Sequence, residues 1–276
     1  MKFIHITDTH MAPRGHLIYG QNTQLHLDRA ISSINSKHHD ASMVIVTGDL
    51  THWGDNASFE NLHASLEKLR LPYHLLIGNH DHREKFKSYF PMQIKTETNS
   101  TFIQSCLETD LGKFIFLDTV DHGHDHGILC DERLHWIDEQ IQQDESDIFF
   151  FMHHPPFPLG ITSMDNIGLR NAQKFKELIH PYRSRIRHIF FGHVHRLVSG
   201  SWMGIPFSST NSMMAQINLQ LDGCSKYIAN KENPRYSVIT HEDGMTIVHQ
   251  EDFLLEKEDL FDMEDSPWND WCIAPR

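Results

Sequence analysis

The stretch that decides the fold is Lys2-Phe3-Ile4-His5-Ile6-Thr7-Asp8-Thr9-His10. Its first five residues, apolar at Phe3, Ile4 and Ile6, make a segment of strand length, and an Asp-x-His pair follows at once. The arrangement returns four times. Met43–Thr47 precedes Gly48-Asp49, Tyr73–Ile77 precedes Gly78-Asn79-His80-Asp81, Ile148–Met152 precedes His153-His154, and His188–Phe191 precedes Gly192-His193-Val194-His195. Short apolar runs bounded by turn residues read as buried strands. Open α/β sheets bind ligands outside the carboxyl ends of their strands. Five strands that each end on Asp, Asn or His therefore describe one converging site.

Between these strands the apolar spacing becomes helical. Leu27, Ala30, Ile31 and Ile34 place a helix over Leu25–Ser36, and further helices are expected over Ser58–Leu69, Arg83–Tyr89, Asp131–Gln142 and Asn171–Ile179. Three strand pairs are expected. They are Thr101–Ser105 with Lys113–Leu117, Leu197–Met203 with Ile205–Ser208, and Tyr236–Thr240 with Met245–His249. Strand–helix alternation followed by added strands gives an α/β domain with helices outside packed sheets. The pattern weakens after residue 210. Residues 1–210 read as the site-bearing domain and 211–276 as a C-terminal cap ending in an acidic tail with Trp268 and Trp271.

Composition narrows the partners. Over 276 residues, 24 Lys and Arg face 37 Asp and Glu, for a net charge of −13. Such a chain has no electrostatic reason to adhere to bulk nucleic acid or an anionic membrane. An anionic substrate would need positive charge supplied locally. Cys106, Cys130, Cys224 and Cys272 form no CxxC pair, which excludes zinc-ribbon and thioredoxin patterns and reads as reduced thiols. MKFIHITDTH has no signal-peptide core, and no run approaches membrane-spanning length. A cytoplasmic protein is expected.

A donor set of carboxylate, imidazole and amide oxygen suits Mn, Fe, Zn or Co better than Ca or a thiolate-seeking metal. Two cations roughly 3.5–4 Å apart need a bridging carboxylate and can clamp a phosphoryl centre. Asp-x-His and His-x-His set alternate side chains on one face of extended backbone. Arg14, Tyr19 and Asn22 follow the first motif and are candidates for the pocket wall, as Asp165 is for holding the loop after His153.

Taken together, D-x-H, G-D, G-N-H-D, H and G-H-x-H in this order resemble the calcineurin-like metallophosphoesterase family, over about residues 1–200. HITDTH, the MAPRGHLIYG stretch and FMHHPPFPLG are similar to its cyclic-nucleotide phosphodiesterase and bacterial glycerophosphodiesterase branch. The resemblance implies a four-layer α/β/β/α sandwich of two mixed sheets. It implies one metal on Asp8, His10, Asp49 and His195 and a second on Asn79, His153 and His193, with Asp49 bridging. His80 would stand beside the scissile phosphate with Asp81 orienting it, and Asn79, His80 and Tyr19 would contact substrate. His154 is expected only to pack. The implied reaction is hydrolysis of a small phosphodiester by a dinuclear-metal enzyme that assembles as a dimer or larger oligomer through its C-terminal region. A phosphomonoesterase or phosphonate monoesterase of the same fold, and a non-catalytic scaffold, are the alternatives.

Overall fold

Every side chain of Ile148–Met152 is buried, so this strand needs cover on both faces. Phe149 and Phe151 pack into one apolar layer, and Ile148, Phe150 and Met152 into another. The computed structural model, which describes residues 1–93, 101–256 and 259–260, supplies both covers: a second sheet on one side and helices on the other.

In chain order the strands are β1 (Lys2–Ile6), β2 (Val44–Thr47), β3 (Tyr73–Leu76), β4 (Ser105–Thr109), β5 (Gly112–Leu117), β6 (Ile148–Met152) and β7 (Ile186–Phe191). They continue as β8 (Val198–Trp202), β9 (Ile205–Ser209), β10 (Gln216–Ile217), β11 (Ala229–Asn230), β12 (Tyr236–Glu242) and β13 (Met245–Glu251). One sheet has the order β13-β12-β1-β2-β3 and the other β4-β5-β6-β7-β9-β8, with β10 and β11 paired separately. β1, β2 and β3 run parallel, and so do β5, β6 and β7. Their carboxyl ends meet at one edge of the sandwich.

Phe3, Ile45, Phe114, Phe116, Phe149, Phe151 and Phe190 fill the space between the sheets. Burying each of these side chains contributes roughly 1.5–3 kcal/mol relative to exposure, so this layer clamps the two sheets whatever the edge loops do. Outside the first sheet lie α1 (Thr23–Lys37), α2 (Asn56–Leu66) and α3 (Arg83–Tyr89). Outside the second lie α4 (Asp131–Gln142), a single turn α5 (Thr162–Asp165) and α6 (Ala172–Ile179). The four-layer α/β/β/α sandwich expected from the sequence is the architecture observed.

Several boundaries move for local reasons. Asn22 accepts a hydrogen bond from the Leu25 main-chain N, and Asp55 accepts one from that of Ser58, so α1 and α2 begin earlier than their apolar periodicity indicates. The expected strand over Thr101–Ser105 is instead Ser105–Thr109. Thr109 stands opposite Gly112 in a tight hairpin, and its hydroxyl donates to the Gly112 carbonyl at 2.8 Å. The turn therefore draws the strand four residues downstream. Within the 211–276 segment, β12 pairs antiparallel with β1, Ile4 opposite Val238, so this hairpin completes the first sheet. Trp268 and Trp271 lie outside the described residues.

Candidate metal centre

The loops after β1, β2, β3, β6 and β7 lie side by side at the common edge. Asp8 N donates to Gly48 O at 3.1 Å, His10 N to Asp49 O at 2.9 Å, and Gly192 N to His153 O at 3.1 Å. Asp8, His10, Asp49, His193 and His195 all adopt left-handed backbone, with φ between 42° and 71°. This conformation costs a non-glycine residue about 1–2 kcal/mol and persists only where surrounding contacts impose it. Two glycines allow the crowding. Gly48 itself has φ 96°, and a Cβ on Gly78 would stand 2.2 Å from Asp49 Oδ1.

All seven residues singled out by the sequence come together. In one half, His10 Nε2 stands 3.5 Å from Asp49 Oδ2. His195 Nε2 is 3.4 Å from Asp8 Oδ1 and 2.9 Å from His10 Nε2. In the other half, His153 Nε2 is 3.3 Å from Asp49 Oδ1. His153 Nε2 and His193 Nδ1 each lie 3.1 Å from Asn79 Oδ1. Asp49 thus turns one oxygen toward each half.

The outer nitrogens of these rings fix their tautomers. His195 Nδ1 donates to the Ala215 carbonyl at 3.1 Å and His153 Nδ1 to the Thr47 carbonyl at 2.8 Å. A ring held this way, once it is neutral, aims its Nε2 lone pair inward, the usual support for a metal-binding histidine. His10 Nδ1 meets His52 Nδ1 at 3.1 Å. Thr7 Oγ1 donates to Asp8 Oδ2 at 2.7 Å, and Ser212 Oγ donates to the Asp8 carbonyl at 2.9 Å.

The electrostatics show a site short of positive charge. Burial works against a proton on His153, but the Asp49 and Asp8 carboxylates outweigh it and push the ring up to about 9. Burial likewise opposes His195, which the Asp8 carboxylate nevertheless raises. Burial, helped by the charge of His153, pushes His193 down to about 3. Lone pairs from oxygen and nitrogen converge here around two carboxylates, and this donor chemistry fits two divalent cations. A proton on His153 is the substitute available without them.

His80, Asn79 and Tyr19 line a cavity of about 470 Å³ over this cluster, together with Asp125 and Tyr227. Met164, Ile167, Met214 and Ile217 supply an apolar wall, and no Lys or Arg lines the cavity among the described residues. His80 Nδ1 donates to the His52 carbonyl at 2.7 Å, and the two rings stack at 5.0 Å. Asp81 does something other than the orienting role expected of it. Its carboxylate accepts from Leu50 N, Thr51 N and Gly78 N at 2.9 Å and from Thr51 Oγ1 at 2.8 Å. Those bonds tie the β2 loop to the β3 loop. Burial, with the Asp49 charge adding, pushes Asp81 up to about 6.

Both nitrogens of His154 are taken, by Thr119 Oγ1 at 2.8 Å and the Asp125 carbonyl at 3.1 Å, while the ring packs against those of His153 and His193 at the edge of the cluster. Asn22 caps α1, and Asp165 accepts from Leu159 N and Gly160 N in the loop after His153. The sequence reading passed over His52, Asp125 and Tyr227. His52 sits three residues after Asp49, a spacing that could have marked it. Tyr227 comes from a segment without periodicity and carried no signal.

The calcineurin-like phosphoesterase family profile matches residues 1–197. A protein named as a probable cyclic nucleotide phosphodiesterase from Rhodopseudomonas palustris is 36% identical over 96% of this chain and 97% of its own length. One named as a probable glycerophosphodiester phosphodiesterase, from Arcobacter nitrofigilis, is 28% identical over 89% of this chain and 91% of its own. Among solved structures, a dimetal phosphatase from Danio rerio has the same fold at 11% identity, with TM-score 0.71 over 92% of this chain and 96% of that one. The chain belongs to the calcineurin-like phosphoesterase family, whose members are metal-dependent phosphoesterases.

Proposed function

We propose that this phosphoesterase hydrolyses small phosphodiesters at a dinuclear centre held by Asp8, His10, Asp49, Asn79, His153, His193 and His195. The observation that carries the reading is the division of Asp49. One carboxylate oxygen faces His10 at 3.5 Å and the other faces His153 at 3.3 Å, as a carboxylate shared between two cations requires. Mn, Fe, Zn or Co would suit these donors. When bound, the cations would neutralise the phosphate and activate water for attack at phosphorus.

The chain's own groups do the rest. Among the described residues the cavity wall offers an anion no Lys or Arg, and two of its members, Asp49 and Asp125, are acidic. Attraction for phosphate therefore depends on the cluster being filled. His80 has its Nδ1 committed to the His52 carbonyl, which leaves Nε2 to hold a proton for the departing alkoxide. Asp81 acts as a positioning residue through the two loops it joins. The relatives' names offer cyclic nucleotides and glycerophosphodiesters. Apolar walls with Tyr19 and Tyr227 favour the diester that carries a flat aromatic base.

The test is a substrate panel on protein reconstituted with each metal: 3′,5′-cyclic AMP, a glycerophosphodiester, bis(p-nitrophenyl) phosphate and p-nitrophenyl phosphate. Diesters should be turned over well ahead of the monoester, with the cyclic nucleotide having the highest kcat/KM. Preference for the monoester would overturn the diesterase reading. Absence of turnover together with absence of bound metal would favour a scaffold.

A further inference from the structure

The loop after β5 carries a second group of metal-type donors that the phosphoesterase centre does not use. Its sequence is Asp121-His122-Gly123-His124-Asp125-His126. His126 Nε2 stands 3.1 Å from Asp121 Oδ2, and His124 Nδ1 stands 3.5 Å from the same oxygen. The two rings lie 4.8 Å apart between centroids. One donor atom from each residue lies within 4.8 Å of the other two.

The backbone imposes this convergence. Val120 pairs with Gly127 across the base of the loop, and Gly127 pairs again with Leu169. Ile128 N donates to Thr119 O at 2.9 Å, and His124 N to Asp121 O at 3.0 Å, closing a turn that folds His124 back over Asp121. A simple surface hydrogen bond would need one imidazole for the carboxylate. Here two crowd a single oxygen, although the His124 side chain is 58% exposed and could be satisfied by water.

We propose that Asp121, His124 and His126 form a third, peripheral site for one divalent transition-metal ion such as Zn, Co or Ni. Two imidazoles and one carboxylate favour these over Ca or Mg. With three protein ligands and partial exposure, the ion would keep water in its remaining positions and bind more weakly than at the buried cluster.

The position gives such an ion something to control. Asp125, between the two histidines, lines the cavity above the phosphoesterase centre. Its carbonyl accepts from His154 Nε2 at 3.1 Å, and the His154 ring packs on that of His193 at 4.5 Å. Clamping His124 to His126 fixes the residue between them on the cavity wall. The ion would therefore act on substrate affinity and leave the chemical step alone.

The experiment is equilibrium dialysis of the full chain against a series of Zn²⁺ concentrations, with metal content read by elemental analysis. It compares wild type, Asp121→Asn and the double variant His124→Gln/His126→Gln. The double variant should hold one equivalent fewer at saturation. Hydrogen exchange of the 121–127 amides should slow roughly tenfold on adding Zn²⁺ in wild type and not in the double variant. KM should lose its dependence on Zn²⁺ beyond the first two equivalents while kcat is unchanged. Equal metal content in wild type and double variant would overturn the site, and equal exchange would overturn its hold on the loop. Melting curves in chelator check that the variants fold. The KM readout rests on the proposed dinuclear phosphodiesterase, but the site itself does not: a one-equivalent difference would still appear if the buried cluster proved empty.

Discussion

Adding one methyl group at residue 78 should disable the centre without removing any proposed ligand. A Cβ on Gly78 would lie 2.2 Å from Asp49 Oδ1, 2.3 Å from Asp49 N and 2.7 Å from His153 Nε2. Real Cβ contacts do not fall below 3.0 Å, so Gly78→Ala must drive the β2 and β3 loops apart by about 0.8 Å. The contact at Asp49 N is with backbone, so no rotamer change relieves it. Overpacking of this kind costs roughly 1–3 kcal/mol of stability, and a misplacement near 1 Å costs roughly a hundredfold in rate. We expect kcat on bis(p-nitrophenyl) phosphate to fall about a hundredfold at saturating metal, with a lower urea midpoint and less than two equivalents of metal. Gly168→Ala, whose added Cβ approaches nothing closer than 3.6 Å, serves as the control for handling and folding. If Gly78→Ala keeps two metals and a kcat within about threefold of wild type, less than 1 kcal/mol of barrier, the close packing of Asp49 against the β3 loop is not what holds the centre together.

Asp49→Asn keeps the shape of the shared ligand and removes its charge; metal content should drop from two and kcat by roughly a thousandfold, and retention of both metals by elemental analysis would refute the bridging role. Chelation of the wild type should abolish turnover, with recovery on adding Mn, Zn or Co but not Ca; recovery with Ca alone would contradict the donor chemistry. Tyr227→Ala should raise KM for a cyclic nucleotide roughly three- to tenfold with kcat unchanged, and an equal rise for a glycerophosphodiester would remove the argument for a base-binding wall. His188 and His5 lie buried between the sheets, and burial pushes each down to about 3. The unfolded chain takes up protons below its ordinary value near 6.5 while the fold refuses them, so this stability is full above that pH and lost as pH falls toward 3. The loss should be roughly 2 kcal/mol per histidine at pH 5. His188→Gln, which cannot charge, should flatten the urea-midpoint profile by about one proton, and an unchanged slope would refute the assignment.

The sequence alone settled a good deal. Apolar runs of strand length, each closed by Asp, Asn or His, placed seven side chains on one sheet edge, because strand direction and burial are local properties written in consecutive residues. The structure brings those seven together. Other features were misread locally or had no local signature. The β4 strand was misplaced because a two-residue turn, not hydrophobicity, sets its register. The pairing of β12 with β1 joins residues more than 230 apart, which no short-range pattern encodes. Asp81 looked like an orienting partner for its neighbour His80, yet its carboxylate is consumed by main-chain N–H groups from two loops, and the His52 carbonyl takes that role. Five proposed ligands sit in left-handed backbone, a conformation that their side chains disfavour and only surrounding packing can impose. Residue types thus determine which chemistry the chain can support. Long-range contacts, which alone can hold strained backbone and aim a ring nitrogen within a fraction of an ångström, decide where that chemistry takes place.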